Sequence, residues 1–203
     1  AKLGWSNEKT DVDISFSGAD TDLTGNGYQA QTLMNTFGYD SIYTKPDNTQ
    51  NKMAFVNGKV SHWMSDELLL TTNAYFRNNK TKSLNGDVND LYEALVTACG
   101  GLTIGDCAAL PQGVNNRSTT TNKGFGSSLQ LSWVTDKNLL VTGASADYGR
   151  TSYLQTEQEF NTFSSSRGEG GTLHTVEDAN DLNGRNKTWS LFATDTFNVT
   201  PKL

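Results

Sequence analysis

The chain has 203 residues and carries 16 Lys and Arg against 22 Asp and Glu, a net charge of −6. No basic arm or stripe is visible along it, which argues against a nucleic-acid backbone as partner. Only 35% of residues are hydrophobic, and the longest charge-free stretch, Leu23 to Tyr39, is rich in Thr, Asn, Gln and Gly, so no helical membrane span fits.

Taken in chain order, four places share one pattern: an aromatic, a short polar run, then a stretch resuming on an apolar residue. They are Trp5-Ser-Asn-Glu-Lys-Thr-Asp-Val12, Trp63-Met-Ser-Asp-Glu-Leu68, Trp133-Val-Thr-Asp-Lys-Asn-Leu139 and Phe197-Asn-Val-Thr-Pro-Lys-Leu203. Each reads as a tight turn, and apolar and polar residues alternate beside it, the signal of a half-exposed strand. Val12, Ile14 and Phe16 interleave with Asp and Ser; Leu68, Leu70, Thr72, Ala74 and Phe76 with Asn73, Tyr75 and Arg77; Phe125, Leu129, Leu131 and Trp133 with Gly, Ser and Gln. Seven strands are expected, at about 1–6, 10–22, 51–63, 68–79, 122–134, 138–156 and 186–197. Short turns join them at one end and long polar tracts (23–50, 80–121 and 157–185) at the other. In the last strand, either Leu191 and Ala193 or Phe192 faces the apolar side.

Structureless loops of that length are unusual in a compact soluble domain. An antiparallel transmembrane β-barrel accounts for them: alternate residues face lipid, one set of turns is short, the other loops are long, and aromatics gather at the interfaces. The expected fold is therefore all-β, a barrel segment of about seven strands, incomplete, with long external loops. Trp5, Trp63, Trp133 and Phe197 form the expected interfacial girdle. The ends, at Ala1 and Leu203, read as lying inside a longer polypeptide.

The stretch Gly4-Trp5 through Asp20, Ser61-His-Trp63 followed by Leu68 to Arg77, the run Leu84 to Asp90, and Ser190-Leu-Phe-Ala-Thr-Asp-Thr-Phe197 resemble barrel strands of TonB-dependent outer-membrane receptors, in particular those for iron complexes. The resemblance implies that residues 1–203 form part of one large barrel in a bacterial outer membrane, its own plug domain and remaining strands lying elsewhere. It also implies energy-coupled uptake of a scarce nutrient, a ferric siderophore above all, with the TonB energy-transducing complex, outer-membrane lipid and the ferric chelate as partners. The chelate would be cargo; no resident cofactor is expected. A passive porin-type barrel and a soluble β-rich binding protein are the alternatives.

Among site candidates, Tyr75 and Arg77 share the polar face near the external end of their strand, and suit an anionic, aromatic chelate. Their bland reading is a wall network. Cys99 and Cys107, both in the tract 80–121, are expected to form a disulfide, beside a short helix opening at Asp90-Leu-Tyr-Glu93. Asn85, Asp87, Asn89, Asp90 and Glu93 miss the EF-hand spacing and read as turn and cap residues, as does the tract 177–181; no metal site is expected. Gly25-Asn-Gly27-Tyr-Gln-Ala30 lacks the βαβ context of a dinucleotide site. His62 reads as interfacial and His174 as solvated. No nucleophile elbow or Cys–His pairing appears, and the protein is not expected to be an enzyme.

Overall fold

The computed structural model describes residues 1–25, 29–92, 94 and 110–199. Its elements are β1 (Lys2–Ser6), β2 (Thr10–Thr24), α1 (Gln31–Phe37), β3 (Asp47–Trp63), β4 (Leu68–Val88), β5 (Gly113–Val134), β6 (Asn138–Phe163), β7 (Glu169–Leu173) and β8 (Glu177–Phe197). All eight strands join in one antiparallel sheet, each paired with its chain neighbour up to β6. Both β7 and β8 pair with β6, at different heights, so together they act as one interrupted strand. The sheet is open, with β1 and β8 at its edges.

All seven expected strands are present, the first at Lys2–Ser6 and the other six at greater length. The tracts 80–121 and 157–185, expected as external loops, contain much strand among their described residues: β4 runs on to Val88, β5 begins at Gly113, and residues 157–185 complete β6, form β7 and open β8. The reason is that these extensions are polar on both faces, which erases the period-2 apolar signal. The extensions of β4 and β5 still pair without interruption, as in Lys80↔Thr121 and Lys82↔Thr119, helped by the Thr run at 119–121, and those of β6 to β8 pair with register shifts near Thr156 and Asn161.

The short turns owe their form to Asn, Ser and Thr. Asn7 Oδ1 accepts from the Lys9 and Thr10 N–H groups at 2.9 and 2.8 Å. Ser65 Oγ accepts from Leu68 N–H at 3.1 Å, and Thr135 Oγ1 from Asn138 N–H at 3.0 Å. Each side chain satisfies backbone donors that the turn leaves without a ladder partner.

The turns step evenly across the sheet. The last pair of β1–β2, Ser6↔Asp11, is level with Gln130 of β5, reached through Ser61 and Thr71. The last pair of β3–β4, Trp63↔Leu69, is level with Ser132, and the last pair of β5–β6 is Val134↔Leu139. Each two-strand step thus moves the turn by two residues. One residue of stagger per strand, about 3.3 Å of rise against ~4.8 Å of spacing, corresponds to a strand tilt of about 35°.

The two faces differ. One carries rungs such as Phe16, Val56, Phe76, Phe125 and Tyr148, or Val12, Val60, Thr72, Leu129, Ala144 and Leu191. The other carries Asp13, Lys59, Asn73, Ser128, Ser145 and Ser190 at the intervening register. Neighbouring side chains on it pair, as in Asn73 Nδ2 to Asn57 Oδ1 at 2.8 Å and Ser145 to Ser190 at 2.8 Å. The register settles the last strand: Leu191 and Ala193 lie on the apolar face, and Phe192 on the polar face. There Phe192 covers Gly143, where a Cβ would come within 2.5 Å of its ring.

Beyond the apolar band, Tyr43 and Lys45 pack on the β6–β7 hairpin. Arg167 (φ 64°) donates from Nε to Tyr43 O at 2.7 Å and lies over the rings of Tyr43 and Phe163, 5.5 and 4.8 Å from their centroids. Lys45 N–H reaches Arg167 O at 2.9 Å, and Gly86 admits the Lys45 carbonyl, which would stand 2.5 Å from a Cβ there. Phe160, fully buried, packs on Gly113 and edge-on to Phe163.

Candidate functional site on the polar face

Tyr75 and Arg77 stand on the polar face of β4, two positions apart. Tyr75 Oη donates to Asp147 Oδ1 at 2.7 Å, reaching across β5 to β6. Gly126 lies between them in register, and a Cβ there would collide with both the Asp147 carboxylate and the Tyr75 ring. A glycine is what lets this bridge form. Phe55 stacks beside it, 6.1 Å from the Tyr75 ring.

One rung higher, Arg77 aligns with Gly124, Gly149 and Asn186. The two glycines leave the floor without side chains, and a recess of about 170 Å³ opens there, bordered by Arg77, Asn122, Asp147, Thr151 and Asn186. Tyr75 has its hydroxyl engaged inside the wall. Arg77 makes no ion pair among the described residues and borders an open recess. The two sequence candidates therefore differ in role: one braces the wall, and the other offers a cation to it.

The four turn aromatics share one end of the sheet but not one face. Trp5, Trp133 and Phe197 lie on the apolar side, level with or next to Val12, Leu68 and Asn138. Trp133 Nε1 donates to Glu67 at 3.0 Å. Trp63 pairs with Leu69, in phase with Ser132 and Val141 on the opposite face. Its neighbour His62 holds the apolar register and bonds Thr10 Oγ1 through Nδ1 at 2.8 Å.

At the far end of the strands, Asn89 rather than Asp90 caps the short helical turn, its Oδ1 accepting from Leu91 N–H at 2.9 Å. Asn89 Nδ2 donates to Glu159, and His174 bonds Asn161 and stands 3.7 Å from Glu159. Asp87, Asn89 and Asp90 border a recess with Glu157 and Glu159. Among the described residues no three His, Cys, Asp or Glu side chains converge as a metal site, and no helix is long and apolar enough to cross a membrane. Cys99, Cys107 and Glu93 lie outside the described residues.

Sequence reading missed a second aromatic level. Counted along each strand from the last pair of its short turn, Phe125 stands nine residues from Val134 and Tyr148 nine from Leu139. Both face the apolar side, their rings 5.2 Å apart. Counting up from each turn would have found them. A scan against protein-family models finds no match for this chain, and a search of curated proteins finds no relative.

Proposed function

We propose that this chain forms part of the wall of a β-barrel in a bacterial outer membrane, within an energy-coupled receptor of the TonB-dependent kind that takes up a ferric siderophore. The observation that carries the reading is the even stagger of the turns, combined with the segregation of the two faces. A stagger of one residue per strand matches the ~35–45° tilt of closed membrane barrels. The apolar face stays bare: Leu129, Trp133, Trp189 and Leu191 are each at least half exposed. A soluble sheet would bury such a face under a second layer. Against lipid, the bare face is the stable arrangement.

The receptor part of the reading draws on the strand resemblance and on Arg77. In the closed barrel the polar face lines the lumen, and Arg77, without an ion pair among the described residues, offers its guanidinium over a glycine floor at the outer half of the wall. A guanidinium holds anionic oxygen ligands through charge-assisted hydrogen bonds. The barrel's plug, its energy-coupling complex and the surrounding lipid are the partners this reading requires. The test is Arg77→Ala in the full-length protein, read by ferric-siderophore binding and by growth on a panel of chelates under iron limitation, with surface display checked separately. The expected loss is about 1–3 kcal/mol of binding for the cognate chelate. Unchanged binding of every chelate would remove Arg77 from the site. Energy-independent passage of unrelated small solutes through the reconstituted protein would favour a passive pore.

A further inference from the structure

The outward face carries a belt of cations at constant height. Lys52 stands eleven residues along its strand from Trp63, Lys80 eleven from Leu69, Lys123 eleven from Val134 and Arg150 eleven from Leu139. Lys187 stands ten from Phe197, the last paired residue of β8. All five hold the register of the apolar face, and Lys123 and Arg150 come directly after Phe125 and Tyr148 on it. One rung higher the same face adds Lys82 and Arg185, and neither rung has a carboxylate on β3, β4, β5, β6 or β8.

These positions are scattered through the sequence, which is why no basic stripe is visible there. The stagger of the sheet brings them into one line. Lys52 is paired with Asp20 at 3.1 Å; among the described residues Lys80, Lys123, Arg150 and Lys187 have no ion-pair partner. A protein of net charge −6 thus sets four cations without an ion pair among the described residues just beyond its apolar band. Eleven residues at ~3.3 Å each, tilted about 35°, put the belt about 30 Å from the turns, the thickness of a hydrocarbon core. Cations paired in register, Lys52 with Lys80 and Lys123 with Arg150, stand about 5 Å apart, and those offset by two residues, Lys80 with Lys123 and Arg150 with Lys187, about 8 Å apart. Just above Lys80, a recess of about 290 Å³ opens beside Lys82, Arg117, Asn48, Gln50 and Thr119.

The geometry points to a docking surface for the phosphate groups of outer-leaflet membrane lipids, with Lys80, Lys123, Arg150 and Lys187 as the contacts. This inference rests on the membrane-spanning reading above. The occupant must carry its anionic group at the end of an apolar body, because the belt continues without a gap into the apolar face. It must also present those groups in a plane, because the cations keep one height across neighbouring strands. A leaflet of lipids with phosphate-bearing headgroups meets both conditions, whereas a nucleic acid or an acidic peptide has no use for the apolar face below. Lysine suits the place, since its stem lies along apolar surface while its ammonium reaches the headgroup level.

The experiment compares the full-length protein with its Lys80→Gln/Lys123→Gln/Arg150→Gln/Lys187→Gln variant. Both are reconstituted in nanodiscs of phosphatidylcholine alone and of phosphatidylcholine mixed with phosphatidylglycerol. The readout is the ratio of the two lipids retained around the protein on gentle detergent extraction. The wild type should enrich phosphatidylglycerol, and the variant should lose that enrichment about tenfold or more while inserting equally well in phosphatidylcholine. Equal enrichment in both proteins, or none in the wild type, would overturn the inference while leaving the spanning reading intact. Displacement of the lipid by millimolar inorganic phosphate would identify a small-anion site and overturn the lipid assignment. Failure of the wild type to insert in either disc would overturn the spanning reading, and the belt with it.

Discussion

If the sheet spans a bilayer, the cost of a charge on its apolar face depends on height above the turns, and the register sets that height. Leu129 stands five residues from Val134, and Leu70 one residue from Leu69, both on the apolar face. At ~3.3 Å per residue and about 35° of tilt, Leu129 lies ~14 Å above the turns and Leu70 only ~3 Å. In a core of about 30 Å, the first is at the midplane and the second at the boundary. Leu129→Arg should therefore cost about 2–4 kcal/mol, and Leu70→Arg about 0–1 kcal/mol. Asn73→Arg, on the polar face, gives up the 2.8 Å hydrogen bond to Asn57 and should cost about 0.5–1.5 kcal/mol. The assay is denaturant titration of the full-length protein refolded into phosphatidylcholine vesicles, followed by the heat-dependent gel shift of the folded barrel. Equal costs at Leu70 and Leu129 would refute the height scale. A larger cost at Asn73 than at Leu129 would refute the assignment of faces.

Two further outcomes follow from close approaches in the wall and its outer cap. Gly126→Ala should cost about 1–3 kcal/mol and release the Tyr75–Asp147 bridge, whereas Gly124→Ala, whose new methyl would meet only Tyr148 O at 3.5 Å, should be tolerated; the same vesicle titration measures both. Arg167→Ala removes the guanidinium from the Tyr43 carbonyl and from two aromatic faces, so limited proteolysis within 29–46 should speed up about fivefold to thirtyfold for ~1–2 kcal/mol lost. An unchanged cleavage rate would show that the segment is held elsewhere.

The sequence was legible wherever one face of a strand is apolar and the other polar. That is the band from Leu68 to Phe76 and its counterparts, where alternation places the strands and gives the phase of β2, β4 and β5. It fell silent in the extensions of β4, β5, β6 and β8, because a strand wetted on both sides has no apolar period to display. The phase of the last strand was ambiguous because Phe192 is a large apolar residue on the polar face. Its reason, a bare Gly143 on the neighbouring strand, is visible only once the strands are in register. Trp63 misled in the same way: its distance from the turn matched the other aromatics, but its parity did not.

The candidate site shows the same division. Tyr75 and Arg77 could be picked out as neighbours on one face. Their different roles depend on Gly126 and on the Gly124–Gly149 pair, contributed by two other strands. The cation belt is the stronger case, since its members are spread from β3 to β8 and no local window contains two strands' worth of them. What unites them is a single rule of construction: eleven residues from each turn on β3 to β6, one residue of stagger per strand. A tilted wall with a constant thickness needs that rule, because each strand must leave the apolar medium at the same height wherever its turn falls in the register. Within a hairpin, paired residues are equidistant from the turn whatever the surroundings, as Lys52 and Lys80 are; selection for a fixed membrane thickness would extend the same count to the next hairpin, while selection for soluble packing gives no reason for it. The equal counts therefore link the fold to its surroundings more tightly than any one residue does, and they make the height of each side chain, rather than its type alone, the variable that mutation should probe.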